Sequence, residues 1–198
     1  MAEITAQAVQ EFRKKTGLGL MECKALLKEA DGDIARAETL AKERGLKKAE
    51  LRAGRAARAG RIEVYIHHDA RSGVMVELNC ETDFVARNDE FKQLAKDLAL
   101  HIMAANPLYV RREEVPADAV AEQKRIFMAQ VADKPENIQE KIAEGKLNAW
   151  YKESVLMDQM FIKDEAKSIR DVILAVNSRT GENISVARFA RFVVGESH

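Results

Sequence analysis

The chain changes its hydrophobic period once, near residue 60. Before that point apolar residues recur at helical spacing: Ile4, Val9 and Phe12 behind a Thr5 cap, then Leu20, Cys23 and Leu27, then Ile34, Ala37, Leu40 and Ala41 behind an Asp33 cap. Stops at Thr16-Gly17, Asp31-Gly32 and Gly45 predict three helices of about ten residues, a miniature bundle with a thin core. After Gly60 the period becomes two. Ile62, Val64 and Ile66 alternate with Glu63, Tyr65 and His67; beyond the turn-rich Asp69-Ala-Arg-Ser-Gly73, Val74, Val76, Leu78 and Cys80 alternate with Met75, Glu77, Asn79 and Glu81. This predicts a β-hairpin with one buried face. Asn88-Asp89-Glu90 then opens a helix whose Phe91, Leu94, Leu98 and Ile102 form one stripe, ending before Pro107. Helical patterns follow over about 116–131, 135–158 and 167–178, and 184–194 closes the chain as a third strand. The predicted class is α+β: a three-helix N-terminal part, then a small antiparallel sheet covered by helices.

Composition narrows the choice of partners. A chain of 198 residues with 46% hydrophobic content forms one ordinary domain, or one with a small satellite. Its 32 basic and 32 acidic side chains cancel, so no global field draws in nucleic acid or an anionic membrane. The charge is nonetheless local. Residues 42–61 carry eight Lys or Arg against two Glu, and Glu113–Glu165 carries twelve acids against seven bases. The basic run is a candidate linker helix. An RNA- or ribosome-binding module is its sharper alternative, although the run offers no aromatic on which a base could stack. No signal-peptide core or membrane span is legible, which leaves a cytoplasmic address as the expectation. Cys23 and Cys80 form neither a disulfide framework nor a zinc pattern.

Candidate chemistry is sparse. His67-His68 beside Asp69 invites a metal-hydrolase reading, but neighbours on a strand point to opposite faces and cannot both serve one ion. Gly17-Leu-Gly19 lacks the preceding strand of a dinucleotide fingerprint, and neither a phosphate loop nor a nucleophile elbow occurs. No cofactor and no resident metal are expected. The segment Thr82-Asp83-Phe84-Val85, placed as a loop between strand and helix, has two readings. A Phe just past a strand ordinarily folds back onto its own core, and Leu20-Met21 at a helix start is ordinarily core as well. The other reading makes both contact surfaces.

Three blocks carry a resemblance. Thr16-Gly-Leu-Gly-Leu-Met-Glu-Cys-Lys-Ala-Leu-Leu27, then Tyr65-Ile-His-His together with Arg71-Ser-Gly-Val-Met-Val-Glu-Leu-Asn-Cys-Glu-Thr-Asp-Phe-Val-Ala-Arg-Asn88, and Gly181-Glu-Asn-Ile-Ser-Val-Ala-Arg-Phe-Ala-Arg-Phe192 resemble, in order, signatures of the bacterial elongation factor Ts family. That resemblance implies guanine-nucleotide exchange on elongation factor Tu, not covalent catalysis. It implies a ubiquitin-associated-like domain at 1–55, with the basic linker helix reaching about 61, and a core at 56–198. It assigns Thr82, Asp83, Phe84 and Val85 to dislodging the partner's Mg²⁺, and Arg13, Leu20, Met21, His67 and Gly181 to partner binding. Longer members carry two related core modules and this chain carries one, which implies a homodimer in a 2:2 complex, with no direct nucleic-acid or membrane partner.

Overall fold

Helix α1 (Ala6–Thr16) begins where the Thr5 hydroxyl accepts from the Ala8 amide and ends at Gly17, whose amide reaches back to the Arg13 carbonyl. In the computed structural model, which describes residues 4–196, helices α2 (Leu20–Glu29) and α3 (Ile34–Ala53) follow. The Asp33 carboxylate caps α3 by accepting from the Arg36 amide at 3.1 Å. Phe12, Cys23, Leu26, Leu27 and Ala37 bury one another, with Leu40 and Ala41 packed alongside, so the three-helix part has the apolar faces the spacing predicts.

Helix α3 does not stop at Gly45. It runs twenty residues, through much of the stretch read as a linker. A mid-helix glycine costs about 1 kcal/mol of propensity, and here packing outweighs it. Gly45 is buried, and a Cβ in its place would lie 3.3 Å from Ser178 Oγ and 3.7 Å from Leu174, so glycine admits the neighbouring element at close range. Lys42 Nζ lies 2.8 Å from Asp171 Oδ1, and Arg52 Nη1 donates to the Asn177 carbonyl at 3.2 Å.

Strands β1 (Ala59–Ile66) and β2 (Ser72–Cys80) form the hairpin. On β2 the expectation holds, with Val74, Val76, Leu78 and Cys80 buried. On β1 it fails. Ile62, Val64 and Ile66 are 57%, 49% and 61% exposed, while Arg61, Glu63 and Tyr65 are half-buried. Register is the reason. Ile66 lies against Gly73, where a Cβ would stand 2.7 Å from Ile66 Cδ1, so the β1 apolar set shares a face with Gly73 and Met75 and not with Val74 and Val76.

The supposed loop is a single turn of helix, α4 (Asp83–Ala86), and α5 (Asp89–Ala105) follows with Phe91, Leu94, Leu98 and Ile102 buried. Helices α6 (Ala117–Ala129) and α7 (Glu136–Ser154) then pack on each other. Helix α7 ends four residues early in a 3₁₀ turn, and a two-stranded antiparallel hairpin follows that the periodicity did not reveal, β3 (Met160–Phe161) with β4 (Asp164–Ser168). Helix α8 (Ile169–Thr180) and strand β5 (Ser185–Val193) close the chain, and the main sheet runs in the order β1-β2-β5. Contacts separate the chain into two units. One holds the residues up to Arg61 with Asn79–Leu94 and Asp171–Ser185; the other holds Ile62–Leu78, Ala95–Arg170 and the residues from Val186. In the second unit His101 is fully buried, within 2.9 Å of Gln159 Oε1 through Nε2 and accepting from the Ile162 amide through Nδ1.

Candidate functional site

One turn of helix, α4, carries the most exposed aromatic among the described residues. Phe84 is 83% exposed, whereas Val85 and Ala86 beside it are buried, so the turn plants one end in the protein and holds the ring out in solvent. Leaving such a ring in water forgoes roughly 2 kcal/mol of burial. The reading in which Phe84 folds back onto its own core is therefore replaced by one in which it is presented.

A one-turn helix has little stability of its own, and the surroundings supply it. Thr82 caps α4, its Oγ1 accepting from the Val85 amide at 3.4 Å. The same hydroxyl donates to Glu182 Oε1 at 2.6 Å, and Glu182 Oε2 accepts from the amides of Glu81 and Thr82 at 3.0 and 3.2 Å. The exchange is reciprocal, because Glu81 Oε1 accepts from the Asn183 amide at 2.7 Å. Arg55, just past α3, joins it: Nη1 lies 3.5 Å from Glu81 Oε1, and its carbonyl accepts from Asn183 Nδ2 at 3.1 Å. Gly181 makes this possible. Its φ of +75° turns the chain sharply after α8, its amide closing on the Asn177 carbonyl, and so delivers Glu182 and Asn183 to the start of α4. Next to this brace the Cys80 thiol donates to the Thr82 carbonyl at 3.2 Å, and burial, reinforced by the Glu182 charge, pushes its pKa up to about 11.

The remaining expected contact residues divide. Leu20 and Met21, at the first turn of α2, are 50% and 75% exposed and so are not core, and Arg13 is exposed on α1. With Thr82, Asp83, Phe84, Val85 and Gly181 they belong to one unit, while His67 belongs to the other. His67 follows the end of β1 at the hairpin turn: its amide donates to the Ser72 carbonyl at 2.9 Å, its ring lies 3.2 Å from the Tyr65 hydroxyl, and the His68 ring lies tilted against it at 4.2 Å between centroids. Among the described residues no group of three or more His, Cys, Asp or Glu side chains is placed to hold a metal, which removes the donor set of the hydrolase reading. Among the described residues, too, no helix is long and apolar enough to cross a membrane.

The basic run is engaged internally. Lys42 pairs with Asp171, Arg44 with Glu29, Lys48 with Glu22 and Arg55 with Glu81, and Arg52 covers a carbonyl of α8. Four of the eight cations of the run thus face acidic side chains of the same unit. The residue that sequence reasoning missed is Glu182. Its signal was its place directly after Gly181 within a recognised block, but the block named no role for it.

An apolar ring held in solvent on a braced turn is a surface open to contact. The comparisons give the family. The family model for elongation factor Ts matches residues 34–196. Elongation factor Ts of Anaeromyxobacter sp. (strain K) is 52% identical over 198 residues, covering 99% of this chain and 90% of that one. Its counterpart in Thermotoga maritima is 46% identical over 196 residues, covering 99% and 98%, and that of Geobacter sulfurreducens is 52% identical over 195, covering 98% and 90%. The chain belongs to the elongation factor Ts family. Membership implies a nucleotide-exchange factor of translation elongation.

Proposed function

We propose that this chain binds elongation factor Tu carrying GDP, disturbs its Mg²⁺ site with the Phe84 turn and promotes release of GDP so that GTP can bind. The observation that carries the proposal is the exposure of Phe84 on a turn anchored at both ends. The physics sets what such a factor must do. A nucleotide held at about nanomolar affinity is bound by roughly 12 kcal/mol, and speeding its release by five decades requires about 7 kcal/mol of barrier lowering. The factor must also bind the nucleotide-free partner better than the loaded one, and by linkage nucleotide weakens the factor's hold by the same factor. Mg²⁺ is the sensitive target, because it demands near-ideal octahedral geometry at about 2.0 to 2.1 Å and tolerates little displacement of its supports.

In this reading Phe84 inserts against the partner's nucleotide-binding domain, Asp83 lies beside the same element, and Thr82 and Val85 hold the turn. Burying one Phe contributes at most about 3 kcal/mol, so separate footholds must supply the rest. Residues 1–55, as a ubiquitin-associated-like domain, dock through Arg13, Leu20 and Met21, whose exposure supports the role. The core at 56–198 adds contacts around His67 and Gly181. The factor acts in the cytoplasm. It acts as a homodimer in a 2:2 complex, a state supported by the exposed apolar sheet face of Ile62, Val64, Ile66, Met75 and Phe192. The RNA-module alternative is the weaker reading: four of its eight cations, Lys42, Arg44, Lys48 and Arg55, pair with acidic side chains of this chain, and the run carries no aromatic.

The test is stopped-flow release of a fluorescent GDP analogue from elongation factor Tu. Phe84→Ala is expected to slow factor-stimulated release tenfold or more, about 1.4 kcal/mol or more, while leaving the fold intact because the residue is 83% exposed. Wild-type release by this variant would refute the role assigned to Phe84.

A further inference from the structure

We propose that Glu182 is a positioning residue of the exchange turn: it touches no partner atom itself but holds Thr82, and through Thr82 the direction in which Phe84 points. The inference rests on the exchange reading above. Its ground is the imbalance between what the turn must do and what it owns. Helix α4 is four residues long and its side-chain cap is a single 3.4 Å contact. Phe84 and Asp83 are exposed. At the far end, burial of Val85 and Ala86 pins the backbone. At the near end, the one carboxylate of Glu182 takes the Thr82 hydroxyl proton at 2.6 Å and the amide protons of Glu81 and Thr82 at 3.0 and 3.2 Å.

Charge-assisted bonds of this kind are the stronger class, and their geometry selects one hydroxyl rotamer. With its hydrogen committed to Glu182, Thr82 Oγ1 keeps a lone pair for the Val85 amide, so the cap and the brace depend on each other. The carboxylate reaches across 100 positions of sequence to do this, through the left-handed turn at Gly181. Removing it strips three hydrogen bonds from the Thr82 end of α4 and loosens the turn about its Val85–Ala86 anchor. A ring that must displace a metal's support then arrives in many orientations, few of them productive. Docking through α1 and α2 does not depend on this brace.

That separation makes the claim testable by the same stopped-flow assay, run to saturation with the full chain. Glu182→Ala is expected to lower the maximal release rate about tenfold while the half-saturating concentration stays within about twofold. Glu182→Gln is expected to recover to within about threefold, since its amide oxygen still accepts from both backbone amides and its NH₂ group donates to Thr82 Oγ1. If the alanine variant does not fold, Thr82→Val removes the same bond from the other side and must show the same loss of maximal rate. A wild-type maximal rate in Glu182→Ala, or a loss confined to the half-saturating concentration, overturns the assignment. A wild-type chain that fails to speed release overturns the exchange reading instead, and that control is run first.

Discussion

A single lysine on the sheet should separate the proposed dimer. Ile62, Val64, Ile66, Met75 and Phe192 are 57%, 49%, 61%, 47% and 59% exposed, and several of them line one shallow depression of about 340 Å³ on the sheet. Full burial of such side chains is worth about 1.5–3 kcal/mol each, so covering the exposed half yields about 1 kcal/mol per residue. A twofold interface uses the patch twice, giving about 10 kcal/mol before the association cost of about 4–15 kcal/mol. At the low end of that cost about 6 kcal/mol remains, a dissociation constant of roughly tens of micromolar, so small changes decide the dimer. Val64→Lys forfeits that residue's share on both subunits and sets two like charges in an apolar contact, a penalty of at least about 3 kcal/mol, or more than a hundredfold in dissociation constant. Sedimentation equilibrium at about 300 micromolar should then report the 22.2 kDa monomer for the variant and close to twice that mass for the parent. Because Val64 is half exposed, thermal unfolding of the isolated variant should change little. A variant that remains dimeric would show that this face is not the interface, and a parent that is monomeric at about 300 micromolar would refute the dimer itself.

Two further outcomes follow from buried groups. Burial holds the His101 ring below its ordinary value of 6.5, so as pH falls the unfolded chain takes up the proton first; stability should be full above about pH 6.5 and decline below it. Calorimetric melting points between pH 7.5 and 5.5 measure that slope, and His101→Leu should flatten it; an unchanged slope would remove His101 as its source. Cys80, its pKa pushed up to about 11, and the buried Cys23 should both resist a thiol reagent at pH 8 until the chain is denatured, when both react. Rapid labelling of the native protein would contradict the packing around Thr82.

Much of the fold was legible because it is local. Thr5 and Asp33 cap helices where their side chains and the following apolar spacing place them, and the α5 stripe from Phe91 to Ile102 is buried as its period requires. Two of the differences originate in distant partners and a third in length. Gly45 reads as a stop until α8 packs against it. The alternation on β1 marks an apolar face correctly but cannot say which way it looks, because that depends on how Ile66 meets Gly73 across the turn. Thr82–Val85 reads as a loop because one turn of helix is too short to show a period.

The candidate site divides in the same way. Phe84, Leu20 and Met21 could be marked as candidates from their types and neighbours, yet whether each is core or contact is a matter of burial, which no single stretch contains. The sequence by itself determined the types of the longer elements, the caps of α1 and α3 and the wording of the family blocks, since propensity, period and motif are properties of neighbouring residues. Only the tertiary structure decided that Phe84 stands in solvent, that the apolar side of β1 faces outward, and that Glu182 holds Thr82 from 100 positions away. Those are consequences of where the backbone returns, and hydrogen bonds and packing act on distance in space.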